Sequence, residues 1–85
     1  MAIAVAIRIR FFARLREQAG LETESIEVAP GSTLAEVYAA LRGNHAALPE
    51  QGAVRAALNQ EFADWNTPVA AGDEVAFIPP VSGGC

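Results

Sequence analysis

Eighty-five residues, 52% of them hydrophobic and 19% charged, suffice for one hydrophobic core and not for two, and this balance is that of a folded chain rather than a disordered one. Ten carboxylates against six arginines, with no lysine, give a net charge of −4; this excludes a phosphate-neutralising surface for nucleic acid and makes a basic partner surface the expected counterpart. A single cysteine excludes an internal disulfide, a paired-cysteine redox centre and a four-cysteine cluster.

The apolar opening from Met1 to Ile7 is too short to span a bilayer and lacks the leading positive charges of a secretion signal, so a cytoplasmic chain without a membrane partner is expected. Ile3, Val5, Ile7, Ile9 and Phe11 alternate as a strand with one face in the core, and Ala2, Ala4 and Ala6 between them suggest a partly covered second face. Phe12, Leu15 and Ala19 then space as a short helix that Gly20 stops in a left-handed conformation. Glu22 to Val28 reads as a second strand ended by the turn pair Pro30-Gly31.

The main helix begins after Thr33, which with Glu36 makes a capping-box pattern, and Leu34, Val37, Tyr38 and Leu41 form its apolar stripe; Gly43 is expected to close it. Asn44 to Gly52 reads as a polar surface connection carrying an exposed His45. Val54 to Ala63 reads as two short strands around an Asn59-Gln60 turn, Trp65 is placed at the edge of the core, and a tight turn at Gly72-Asp73 leads into a last strand, Val75 to Ile78. Pro79-Pro80 ends that strand, because prolines have no N–H for a sheet ladder. These elements predict an α+β domain over 1–78, a mixed sheet across one main helix, followed by an extended tail over 79–85.

His45 and Cys85 are the only residues of their types and suggest no nucleophile-base pair, and Glu22, Glu24, Asp73 and Glu74 read as solvated strand-edge and turn carboxylates. No cofactor or metal site is expected. The tail is different. Polyproline II geometry extends ~3.1 Å per residue, so Pro79 to Gly84 would project roughly 18 Å, and Gly83-Gly84 would let a foreign active site close around bare backbone. A frayed terminus would have much the same composition.

The blocks "FFARLREQAG", "LNQEF" and "GDEVAFIPPVSGG" closely resemble the small-subunit family of molybdopterin synthase, ubiquitin-like β-grasp sulfur carriers, in register over nearly the whole chain. The resemblance implies a β-grasp fold and a carrier that is no enzyme on its own. Its C-terminal Gly84, with Gly83 beside it, would be adenylated by an E1-like enzyme using ATP and Mg²⁺, and converted to a thiocarboxylate with sulfur from a persulfide donor. The thiocarboxylate would then be delivered into the large synthase subunit, where two carriers supply the dithiolene sulfurs added to cyclic pyranopterin monophosphate. Arg16, Phe77 and Ile78 are the expected partner contacts, with Pro79, Pro80, Val81 and Ser82 guiding the tail, although alternation requires at least one of Phe77 and Ile78 to face the core. The family ends at the second glycine, so Cys85 is expected to need removal; an added residue or an inactive precursor would look the same. A carrier of the same fold in thiamine or cysteine synthesis, a protein modifier, or a non-catalytic interaction domain are the alternatives.

Overall fold

The computed structural model describes residues 4–79. Strand β1 (Val5–Phe11) runs through the sheet interior, antiparallel to β2 (Thr23–Val28) and parallel to β5 (Glu74–Ile78). β5 pairs antiparallel with β3 (Arg55–Leu58), which turns back into the two-residue β4 (Glu61–Phe62), giving the order β2-β1-β5-β3-β4. A parallel β1/β5 pair at the centre needs a long crossover, and helix α2 (Leu34–Asn44) lies within the connection that supplies it.

The short helix α1 (Arg14–Ala19) interrupts the β1–β2 connection and ends at Gly20, whose φ of 83° is the left-handed stop expected there. On α2 the capping box is present in full: Glu36 N–H donates to Thr33 Oγ1 at 3.3 Å, and Thr33 N–H donates to Glu36 Oε1 at 2.8 Å. Its stripe of Leu34, Val37, Tyr38 and Leu41 is fully buried against Ile7, Ile9, Phe11, Val75 and Phe77 of the central strands. The hairpin between β3 and β4 turns on Asn59 and Gln60, both at positive φ (51° and 74°), as a two-residue hairpin loop requires.

Three expectations are corrected. Helix α2 runs one residue past Gly43, through Asn44, and His45 N–H closes it on the Leu41 carbonyl at 2.8 Å; without a positive φ, Gly43 is an ordinary helical residue. The following connection is more than surface: Leu48 is in the core, and the Tyr38 hydroxyl donates to the Pro49 carbonyl at 2.7 Å before a 3-10 turn over Gln51–Ala53. A buried tyrosine needs such an acceptor, and the connection provides it. Ala4 and Ala6 are exposed, so the second face of β1 is not covered at its start; Ala2 lies outside the described residues.

Candidate functional site

Alternation divides the central strands into two faces. On the inner face Phe77 is 0% exposed, its ring stacked on Trp65 at 5.9 Å between centroids and tilted against Tyr38 at 4.8 Å. Its side chain therefore cannot be the partner contact anticipated for it: its register opposite Phe11 and Ala56 points it under α2. The chain's next residue, Ile78, has the opposite sense and emerges on the outer face, opposite Arg55 of β3.

The outer face carries a cleft of about 200 Å³, lined by Arg10, Phe12, Ala57, Gln60, Phe62, Glu74, Ala76 and Ile78. Arg10, Ala76, Ala57 and Phe62 are cross-strand neighbours through β1, β5, β3 and β4, with the two alanines forming a low floor between the longer side chains. Among the described residues, Phe12 (39% exposed) and Phe62 (62%) are the large hydrophobic side chains that folding leaves in solvent. Exposed aromatics grouped around a concave apolar floor mark a contact surface rather than a packing accident.

One arginine, Arg10, lines the cleft, and a second, Arg55, backs the Phe62 ring from a neighbouring pocket that Asp64 also lines. The Arg10 guanidinium lies 5.1 Å from the centre of the Phe12 ring and 3.9 Å from Glu74 Oε2, while that of Arg55 lies 4.4 Å from the centre of the Phe62 ring. Stacking on a cation contributes about 0.5–1 kcal/mol at an exposed site and holds each ring in place. Ala13, at a positive φ of 53°, turns the chain out of β1 directly after Phe12, and Phe12 N–H donates to the Phe77 carbonyl at 3.3 Å. The Phe12 rim is thus tied by backbone to the end of β5, next to the half-buried Pro79, the last described residue.

The motif "LNQEF" has an architectural part in this. Asn59 N–H donates to the Glu74 carbonyl (2.8 Å), its side-chain oxygen accepts from Glu74 N–H (3.0 Å), and its side-chain amide donates to Asp73 Oδ1 (3.2 Å). Asp73 also accepts from Ala70 N–H at 2.7 Å, so the turn and the start of β5 are fixed to the β3–β4 hairpin that carries Phe62. Asp73 is therefore a turn clamp, and Glu74 lines the cleft, where both were expected to be merely solvated.

Arg16 is exposed on α1 but does not line the cleft. Pro80, Val81, Ser82, Gly83, Gly84 and Cys85 lie outside the described residues. His45, expected in solvent, is half-buried: Nε2 lies 2.8 Å from Glu24 Oε1, and the ring meets the edge of Phe11 at 5.9 Å. This pair ties the edge strand β2 to the end of α2, and neither residue lines the cleft. Among the described residues no group of three His, Cys, Asp or Glu is placed to hold a metal, and no helix is long and apolar enough to cross a membrane. Reading the sequence alone passed over Phe12, Phe62, Arg10 and Arg55. Phe12, expected on the short helix with Leu15 and Ala19, instead precedes α1 and, following the inward Phe11, points outward.

The chain matches the model of the ThiS family over residues 9–84. It is 40% identical over 82 residues to the molybdopterin synthase sulfur carrier subunit of Escherichia coli, the alignment spanning 92% of this chain and 99% of that one. The crystal structure of the small archaeal modifier protein SAMP1 from Haloferax volcanii superposes with a TM-score of 0.81 at 34% identity, covering 93% of this chain and 99% of its own. A complex of subunits 1 and 2 of the molybdopterin-converting factor from Helicobacter pylori contains a chain that matches with a TM-score of 0.68 at 31% identity, covering 94% of this chain and 100% of that chain. With a mixed five-stranded sheet over one main helix, the chain belongs to the ThiS family, among the ubiquitin-like β-grasp proteins that include the sulfur carrier subunits of molybdopterin synthase.

Proposed function

We propose that this chain carries sulfur for molybdopterin synthesis as a thiocarboxylate on Gly84, docking on its partners through the outer-face cleft. The observation that carries the reading is the position of that cleft. Its apolar rim of Phe12, Phe62 and Ile78 adjoins Pro79, the last described residue, so a partner seated on the rim stands beside the start of the 79–85 segment. The similarity to the Escherichia coli carrier subunit, and to a chain solved together with its second subunit in Helicobacter pylori, supports the same assignment.

The chemistry asks little of the domain itself. A carboxylate is a poor electrophile until an E1-like enzyme, using ATP and Mg²⁺, joins it to AMP with release of pyrophosphate. The terminal sulfur of a donor persulfide then attacks the acyl carbon and AMP leaves, and a thiol reduces the acyl disulfide so formed to the thiocarboxylate. That sulfur is a nucleophile at neutral pH, and inside the large synthase subunit it adds to cyclic pyranopterin monophosphate; two carriers provide the two dithiolene sulfurs. The chain's own part is to be recognised and to present Gly83 and Gly84 free of side chains. The reading requires a free carboxylate on Gly84, hence hydrolysis of the Gly84–Cys85 peptide bond beforehand.

Intact mass spectrometry tests it: after trimming to Gly84 and incubation with the E1-like enzyme, ATP, Mg²⁺ and a persulfide donor, the chain gains about 16 Da as one oxygen is replaced by sulfur. A chain that supports no ATP–pyrophosphate exchange and gains no mass is not a carrier. The likeness to SAMP1 favours a second reading, in which the activated terminus is transferred to an amine of another protein. Conjugates that survive thiol reduction and carry the chain's C-terminal residues on a lysine would establish it. This sequence, having no lysine, could be the donor in such a reaction but not a side-chain acceptor.

A further inference from the structure

The β3–β4 hairpin supplies one wall of the cleft, through Gln60 and Phe62, while Phe12, Glu74 and Ile78 stand on the other. The hairpin has little ladder of its own to hold it there. β4 is two residues long and pairs with β3 at Ala57↔Phe62 and Leu58↔Glu61, with one further backbone bond from Ala63 N–H to the Ala56 carbonyl. The β3/β5 register ends at Leu58↔Val75, and the next rung would join Asn59 to Glu74, where the positive φ of Asn59 (51°) takes the main chain out of strand geometry into the turn. The rung is made all the same. Asn59 N–H donates to the Glu74 carbonyl at 2.8 Å, and the Asn59 side-chain oxygen, standing in for a backbone carbonyl, accepts from Glu74 N–H at 3.0 Å. Its amide nitrogen donates on to Asp73 Oδ1 at 3.2 Å, a contact that a carboxylate in the same place could not make.

Resting on the docking reading above, we infer that Asn59 is a positioning residue for partner recognition, acting through Phe62. Asn59 does not itself line the cleft. Through its bonds to Glu74 and Asp73 it fixes the hairpin wall against β5, and so sets the span between Phe62 and Ile78 that a partner has to fill. The buried cluster under α2 lies on the other face of the sheet, and Asn59 is exposed, so the core does not depend on this clamp. What depends on it is the fixed spacing of the two walls. A wall that is not fixed beforehand must be ordered when the partner arrives, and that lost freedom is subtracted from affinity.

The test measures binding of the full chain to the large synthase subunit of the same organism by titration calorimetry, well below the melting temperature of each variant. Asn59→Gly keeps the left-handed turn, which glycine adopts without strain, and deletes the side-chain clamp. It should bind about fivefold to tenfold more weakly than the parent, whereas in a Phe62→Ala background it should change binding by less than about twofold, because the ring it positions is gone. Asn59→Asp keeps the acceptor but sets a second carboxylate against Asp73, and should bind at least as weakly as Asn59→Gly. Adding Asp73→Asn to it exchanges donor and acceptor while leaving an oxygen for Ala70 N–H, and should restore binding to within about twofold of the parent. A clamp with a structural role alone would lower the melting temperature in every background and leave the affinity of the folded chain unmoved. Unchanged binding in Asn59→Gly overturns the inference, as does an equal loss with and without the Phe62 ring, or an exchange that restores nothing. If Phe62→Ala weakens binding while Asn59→Gly does not, the docking reading stands and the positioning role falls; if Phe62→Ala is silent, the outer face is not the docking surface and both fall.

Discussion

Phe11 and Phe12 are consecutive residues with opposite fates, as are Phe77 and Ile78. Phe11 and Phe77 join the buried cluster under α2, whereas Phe12 and Ile78 rim a cleft on the other side of the same two strands. The inner face is closed: Tyr38, Trp65 and Phe77 lie ring against ring within 4.8–5.9 Å. The outer face is open, and its phenylalanines are steadied by arginines rather than by other apolar groups. One residue type therefore serves stability on one face and, in the docking proposed for this chain, recognition on the other, and the two roles respond to mutation in different observables.

The sharpest way to break this comparison is at Phe77. Replacing it with alanine removes a fully buried ring from the centre of the aromatic cluster, and such truncations cost about 3–5 kcal/mol. Small domains have total stabilities of only about 5–15 kcal/mol, so urea denaturation should show Phe77→Ala losing a large share of its fold. Phe12→Ala, one strand over and facing out, should stay within about 0.5 kcal/mol of the parent. Similar losses in both would mean that the two faces are not distinct in function.

The complementary change is Phe62→Ala. Folding leaves this ring 62% exposed, so its removal should leave the urea midpoint nearly unmoved. Binding to the large synthase subunit should weaken about tenfold to a hundredfold, the range of an aromatic anchor at an interface centre. Titration calorimetry on both variants completes the contrast: Phe77→Ala acts on folding and Phe62→Ala on association.

How much of this was legible beforehand follows from the same division. The capping box of Thr33 and Glu36, the α2 stripe and the Asn59-Gln60 turn are local patterns, and each is where the sequence places it. The cleft is not local. It needs Arg10, Ala76, Ala57 and Phe62 from four strands in one register, and no stretch of sequence states that β1 and β5 are parallel neighbours. Alternation requires one of Phe77 and Ile78 to face the core but does not say which; the register opposite Phe11 and Ala56 assigns Phe77 to the inner face. His45 was misplaced because its partner, Glu24, is twenty-one positions away.

Tyr38 tests the one polar feature of the inner face. Tyr38→Phe keeps the ring and deletes the hydroxyl that donates to Pro49, leaving that carbonyl unpaired, for a loss of about 1 kcal/mol. Burial raises the Tyr38 pKa, and the positive charge of Arg42 only partly offsets it. The folded chain thus holds the phenolic proton to higher pH than the unfolded chain, whose tyrosine titrates near 10. The contribution is complete below about pH 10 and is lost as pH rises through that value toward the folded pKa. Denaturation followed between neutral pH and about pH 11 should show a decline that the Tyr38→Phe chain lacks.

The smallest expected effect concerns the helix that covers the inner face. Were Gly43 the stop of α2, alanine there would be strained; as an interior helical residue without positive φ, with open space where a Cβ would stand, it should accept alanine and gain about 0.5–1 kcal/mol from reduced backbone freedom in the unfolded chain. Gly20, at φ 83° and equally open, provides the counter-case: space is not limiting there, but an L side chain disfavours the left-handed backbone, and Gly20→Ala should lose about 1 kcal/mol. Opposite shifts in melting temperature for the two variants would place the true helix stop on α1 and not at Gly43. A loss in Gly43→Ala would mean that α2 ends at its glycine rather than running on through Asn44.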